Sequence, residues 1–163
     1  MCLFESSPTV PREIPPCASH SRLGTKTDGM MMLSVSQAKR ADRTILVVDD
    51  EPAILDLVQR VLRHAGYNAI TSRSGDRAWD VIDRGQPKVN LVLTDIVMPE
   101  SMDGFTLAEK ARRKYPKLPI LFMTGAVPEC DEKAAARTKK GLLRKPFYPK
   151  ALVEFIDSHF GES

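Results

Sequence analysis

Four short segments of this 163-residue chain end in side chains capable of chemistry. Asp49 and Asp50 follow Ile45-Leu46-Val47-Val48, Asp95 follows Val89 to Thr94, Thr124 follows Pro119 to Met123, and Lys145 follows Gly141 to Arg144. If these segments lie side by side, three carboxylates, one hydroxyl and one ammonium converge. Three like charges raise one another's pKa unless a cation sits among them, and oxygen donors alone suit a hard ion such as Mg²⁺. Beside such an ion, Asp95 is a carboxylate nucleophile toward a phosphoryl group, forming an acyl phosphate. Lys145 and Thr124 would then hold the phosphoryl oxygens. Taken singly, each residue is ordinary: an acidic pair often caps a helix, and a Thr before Gly125 or a Lys before Pro146 fits a turn or the surface. Their joint recurrence at strand ends, in order, points to a site.

The elements that must position them are legible in the hydrophobic pattern. Ile45 to Val48 is a short β-branched run of the kind found in fully buried strands, stopped by Asp49-Asp50-Glu51. Pro52 suits a first helical turn, and Ile54, Leu55, Val58, Val61, Leu62 and Ala65 recur at helical spacing, predicting a first helix over about 52–65. Asn68 to Ser72 reads as a second strand. Ser74-Gly75-Asp76 opens a second helix that ends before Gly85, with Trp79 on its apolar side in a core role. Val89 to Thr94, Pro119 to Met123 and Gly141 to Arg144 read as three further strands. Helices are expected over about Phe105 to Tyr115, in the Ala-rich stretch after Thr124, and around Leu152, Val153, Ile156 and Phe160. Five strands alternating with five helices predict a doubly wound α/β sheet, whose ligands bind beyond the carboxyl ends of the strands.

Composition narrows the class. The chain carries 24 Lys+Arg against 21 Asp+Glu, a formal charge of +3. Five of the bases and three of the acids lie in residues 1–41, so the remainder stands near neutrality and lacks the basic footprint of a nucleic-acid binder. Three cysteines, Cys2, Cys17 and Cys130, are an odd number and argue for a reducing compartment rather than a disulfide scaffold. No run approaches the ~18 apolar residues of a membrane span, and no secretory pattern opens the chain. A soluble, cytoplasmic protein without membrane or nucleic-acid partners is the expectation. Residues 1–41, interrupted by Pro8, Pro11, Pro15 and Pro16, are expected to be a disordered extension, with a single domain over 42–161. His20, His64 and His159 are scattered, and none is expected to be a ligand or phosphohistidine.

The ordered set Leu46-Val47-Val48-Asp49-Asp50-Glu51, Leu93-Thr94-Asp95-Ile96-Val97-Met98-Pro99, Met102-Asp103-Gly104, Met123-Thr124-Gly125 and Lys145-Pro146-Phe147 resembles the response-regulator receiver domain of bacterial two-component systems. The resemblance covers about residues 43–160. It implies a flavodoxin-like five-stranded parallel sheet of order 2-1-3-4-5 with five helices. It implies Asp95 as phospho-acceptor, Asp50 and Asp95 as direct Mg²⁺ ligands, Asp49 assisting, and the backbone carbonyl of Val97 completing the protein ligands. Thr124 would be the switch hydroxyl and Lys145 the ion-pair partner, with a cis Lys145–Pro146 bond, while Glu51 is expected to be a charge at a helix N-terminus.

Its implied partners are a histidine kinase or histidine phosphotransfer protein and an unknown downstream protein. A homodimer through the fourth helix, fifth strand and fifth helix is also possible on this resemblance. With about 42 residues before the domain and few after Phe160, a stand-alone receiver is expected, a regulator rather than a turnover enzyme.

Two departures matter. Glu100, Ser101 and Met102 make the loop before Asp103 one residue longer than in the commonest receivers, and Leu142 stands where many carry an aromatic switch residue. Signalling is then expected to run through backbone shifts of the Thr124 loop. Val97 and Ala126 cannot orient an attacking water, which predicts slow loss of the phosphoryl group. Lys133, Arg137, Lys139, Lys140, Arg144 and Lys150 make a basic face, either solvated or a docking surface. Two rivals remain. A haloacid-dehalogenase-type hydrolase would want a second Asp where Val97 stands, and a pseudo-receiver would bind partners without phosphorylation although every acidic, Thr and Lys position is kept.

Overall fold

The computed structural model describes residues 39–99, 102–125 and 141–160. Five strands form one parallel sheet of order β2-β1-β3-β4-β5: β1 (Thr44–Val48), β2 (Asn68–Ser72), β3 (Leu91–Asp95), β4 (Ile120–Thr124) and β5 (Leu142–Arg144). This is the expected order. Among the described residues the helices are α1 (Pro52–His64), α2 (Gly75–Arg84), α3 (Gly104–Lys114) and α4 (Pro149–Phe160), besides a helical turn at 39–41. The helix expected after Thr124 falls in 126–140, outside the described residues, so α4 is the fifth helix of the sequence expectation.

Both faces of the sheet are covered because its strands are apolar on both sides. Ile45, Val47, Leu91, Leu93, Leu121 and Met123 point to one side, where Leu55, Val58 and Leu62 of α1 and Leu152 and Ile156 of α4 meet them. Leu46, Val48, Val92, Ile120 and Phe122 point to the other, against Ala78 and Ile82 of α2 and Leu107, Ala108 and Ala111 of α3. Parallel strands buried on both faces read as continuous hydrophobic runs for this reason.

Each helix start has a local cause. Pro52 opens α1 after Glu51, which occupies the N-cap position without a side-chain cap bond. Ser74 Oγ accepts from Arg77 N at 3.4 Å ahead of α2, and Asp103 Oδ1 accepts from Thr106 N at 2.7 Å ahead of α3. Gly85 ends α2 at φ 67, a left-handed conformation that favours glycine. β3 starts at Leu91 rather than Val89; just before it, Asn90 holds Thr44 at the start of β1 through both backbone groups, its Oδ1 accepting from Thr44 N at 2.9 Å and its N donating to the Thr44 carbonyl at 2.8 Å.

Contacts to the folded body begin before the expected boundary at residue 41. Arg40 belongs to the folded body: its Nη2 meets Asp157 Oδ2 at 2.5 Å, Nη1 reaches the Ala65 carbonyl at 3.2 Å, and the guanidinium lies 5.5 Å from the Tyr67 ring centroid. A planar fork that satisfies a carboxylate and a helix-end carbonyl together pins the chain at Arg40, two residues before the expected start of the domain at 42. Residues 1–38 lie outside the described residues.

Candidate functional site

Strand register alone brings the candidate residues to one edge. Val48 pairs with Thr94, so Asp49, one residue on, is level with Asp95. Asp95 pairs with Met123 and Thr124 with Arg144, which sets Lys145 just past the edge of β5. Side-chain alternation then sorts them. Asp49, Asp95 and Lys145 share parity with Val47, Leu93 and Leu143, on the α1 and α4 face, whereas Thr124 shares parity with Phe122 on the opposite face.

The contacts follow that sorting. Lys145 Nζ donates to Asp49 Oδ2 at 2.5 Å and to Asp95 Oδ2 at 2.7 Å. Asp49 has no exposed surface, and its Oδ1 also accepts from Glu51 N at 3.0 Å. Asp95 is buried, with Oδ1 accepting weakly from Val97 N at 3.4 Å. Asp50 is half-buried, and carboxylate oxygens of Asp49, Asp50 and Asp95 all lie within 4.8 Å of one another. Thr124 is buried at the end of β4, where its carbonyl accepts from Lys145 N at 2.8 Å. Val97 is 59% exposed at the rim, so its side chain is not part of the core. Ala126 lies outside the described residues.

Electrostatics give the cluster its character. Burial pushes the Asp49 carboxyl above its ordinary value, opposed by the hydrogen bonds from Lys145 and Glu51. Burial also works against the Lys145 ammonium, yet its bonds to Asp49 and Asp95 outweigh that and hold its pKa above the ordinary value. Three carboxylates against one ammonium leave two uncompensated negative charges among oxygen donors. That donor set fits a hard divalent cation such as Mg²⁺. Among the described residues it is the one group of three or more His, Cys, Asp or Glu side chains that converges. His64 and His159 take no part in it.

One residue that positions Asp95 had been noted only as part of a motif. A Cβ on Gly104 would lie 2.0 Å from the Asp95 carbonyl oxygen and 3.1 Å from Ile96 Cα, and Gly104 N donates to the Ile96 carbonyl at 3.2 Å. The first residue of α3 thus rests directly on the backbone that carries Asp95, with no space for a side chain. The available signal was a glycine at a helix start, directly after the capping Asp103, where its conformational freedom is not otherwise needed. The Lys145–Pro146 bond is cis as expected, and Gln86–Pro87 is a second cis bond that had not been expected. Leu142 is half-buried beside Phe122, and no aromatic occupies its place. Arg144 and Lys150 of the expected basic face are exposed, while Lys133, Arg137, Lys139 and Lys140 lie outside the described residues. No helix of the described residues is long and apolar enough to cross a membrane.

Comparison with known proteins agrees with this geometry. The family model of the response regulator receiver domain matches residues 45–157. The transcriptional regulatory protein GlrR of Escherichia coli (strain K12) is 35% identical over 124 residues, covering 73% of this chain but 26% of that protein. This chain therefore spans about a quarter of that relative's length. Among solved structures, a CheY-like response regulator receiver domain protein from Methanospirillum hungatei JF-1 superposes with a TM-score of 0.66 at 29% identity, covering 74% of this chain and 94% of that one. The response regulator protein TrrA from Thermotoga maritima, in complex with Mg²⁺-BeF, gives 0.63 at 28% identity, covering 71% and 97%.

Proposed function

This chain belongs to the response regulator receiver domain family, and on that premise we propose that it is a phospho-accepting switch acting through Asp95. The observation that carries the reading is Lys145 Nζ bridging Asp49 and Asp95 at 2.5 and 2.7 Å within a cluster that keeps two net negative charges. Asp50 and Asp95, with Asp49 assisting and the Val97 carbonyl completing the set, would hold Mg²⁺, which would supply charge neutralisation for an incoming phosphoryl group. An Asp95 carboxylate oxygen attacks phosphorus, and a P–O bond forms as the bond to the donor breaks, the electron pair leaving with the donor's leaving group. Lys145 then balances charge on the phosphoryl oxygens, and the Thr124 hydroxyl donates to one of them. The protein is itself the substrate, in keeping with a family of signalling regulators rather than turnover enzymes.

The donor on this reading is a histidine kinase or histidine phosphotransfer protein in the cytoplasm, and the output is changed affinity for a partner protein, without contact to nucleic acid or membrane. Phosphorylation shifts a pre-existing equilibrium of the segment that follows Thr124, and Leu142 in place of an aromatic makes backbone movement the carrier. The acting unit is 42–161 together with Arg40, and a homodimer would form through the expected fourth helix, β5 and α4. The test is incubation of the full chain with phosphoramidate, with and without Mg²⁺, followed by borohydride trapping and peptide mapping. A Mg²⁺-dependent modification on the peptide containing Asp95 is expected. Modification elsewhere, or none, overturns the reading.

A further inference from the structure

Beside the acidic cluster a second cleft, of about 340 Å³, opens between the end of β1 and the start of α2, lined by Asp50, Arg73, Ser74, Arg77 and Pro99. Asp50 is a wall common to this cleft and to the cluster with Asp49 and Asp95. The rim that carries the arginines is held in place. Ser72 Oγ donates to the Ser74 carbonyl at 3.0 Å, Asp49 N donates to the Ser72 carbonyl at 3.2 Å, and Ser74 Oγ accepts from Arg77 N. Ser72 and Ser74 are buried while Arg73, just past β2, and Arg77, in the first turn of α2, are exposed, so two guanidiniums project from adjoining positions beside Asp50. Neither forms an ion pair with a carboxylate among the described residues.

Charge gives these arginines a task. The acids and Lys145 sum to two negative charges, which a divalent cation only cancels, so once the ion and Lys145 are engaged with the phosphoryl oxygens the cluster has no net positive charge left for the donor's leaving group. Arg73 and Arg77 make the adjoining mouth positive, and a guanidinium fork matches a carboxylate geometrically. We propose that Arg73 and Arg77 form an anion subsite that binds the leaving-group side of an acyl phosphate donor, a role that rests on Asp95 being the acceptor. In that transfer the Asp95 oxygen forms its bond to phosphorus as the bond between phosphorus and the acyl oxygen breaks. The electron pair departs on a carboxylate, no proton changes hands, and the charge that grows on the leaving oxygens faces the two arginines.

The full-length chain and its Arg73→Gln/Arg77→Gln double variant are compared with two probes at fixed Mg²⁺ and ionic strength. Acetyl phosphate releases an anion, and phosphoramidate releases neutral ammonia. Hydrogen bonds to charged groups predict a fall of about tenfold or more in the rate with acetyl phosphate. The rate with phosphoramidate should stay within about twofold. In a readout that needs no transfer, the unreactive analogue acetonylphosphonate should shift the Ser74 and Gly75 amide resonances in the parent, and the variant should bind it more weakly. Equal rates in parent and variant, an equal fall with both probes, or unmoved amides would overturn the subsite. A parent that accepts a phosphoryl group from neither probe overturns instead the reading of Asp95, which keeps the two failures apart.

Discussion

Replacing Asp50 by Asn should stabilise the protein when no divalent ion is present and destabilise it, relative to the parent, when Mg²⁺ is abundant. Asp50 is half-buried, with a carboxylate oxygen within 4.8 Å of those of Asp49 and Asp95, while Lys145 bonds to those two and not to Asp50. At that separation each repulsion is about 1 kcal/mol in a water-like dielectric and about 3.5 kcal/mol at an effective value of ~20. Partial exposure puts Asp50 near the lower figure, so the two repulsions total about 2 kcal/mol. Attraction from the more distant ammonium offsets roughly half of that, leaving a gain of about 1 kcal/mol for the neutral isostere.

Mg²⁺ reverses the order. At ten times its dissociation constant a bound ion stabilises the parent by about 1.4 kcal/mol, a contribution the variant should lack. Urea unfolding at pH 7, in EDTA and in MgCl₂, followed by circular dichroism and Trp79 fluorescence, measures all four stabilities. A variant less stable than the parent in EDTA, or one that gains as much from Mg²⁺, would refute the electrostatic reasoning.

Other consequences are as direct. Gly104→Ala would set a methyl 2.0 Å from the Asp95 carbonyl oxygen, a backbone atom that cannot rotate away. A loss of about 3 kcal/mol or more is expected in urea unfolding, against about 1 kcal/mol for Gly85→Ala, where only the left-handed backbone objects; similar losses would contradict the packing at Asp95. Tyr67 is 3% exposed, donates to Asp157, and is pushed up to about 12 from 10.0, first by burial and then by that carboxylate. Because the folded pKa is the higher one, this stabilisation is complete below pH 10 and is lost as pH rises toward 12, by about 2–3 kcal/mol. Tyr67→Phe should flatten the stability–pH curve in that window, and an unchanged slope would locate the titration elsewhere. Val97→Asn, at a 59% exposed position, should leave folding intact and speed hydrolysis of the aspartyl phosphate about tenfold by orienting water; slower decay than the parent would contradict the role given to Val97.

Most of the site was legible because it is written in strand ends. A parallel strand buried on both faces is largely apolar, so the polar residues that close it mark the edge of the sheet, and Asp49 after Val48, Thr94-Asp95 in β3 and Thr124 in β4 stand there, with Lys145 just past the short β5. The finer arrangement needed the register. That Lys145 bonds to Asp49 and Asp95 while Thr124 starts from the opposite face depends on the pairings of Val48 with Thr94 and Thr124 with Arg144, which hydropathy does not encode. Arg40 escaped notice because its partners, Ala65 and Asp157, are 25 and 117 residues away. Gly104 stood in a noted motif, but its steric reason is a contact with a backbone atom across a loop. Arg73 and Arg77 looked like ordinary surface charges until folding set them beside Asp50.

The central claim is that Asp95 is the group modified. Intact-mass measurement of the full chain after exposure to acetyl phosphate and Mg²⁺, alongside Asp95→Asn, tests it most directly. The account predicts one added phosphoryl unit of about 80 Da on the parent, lost with hydroxylamine and absent in EDTA, and no addition to the variant. An unmodified parent, or equal modification of the Asn variant, would contradict it.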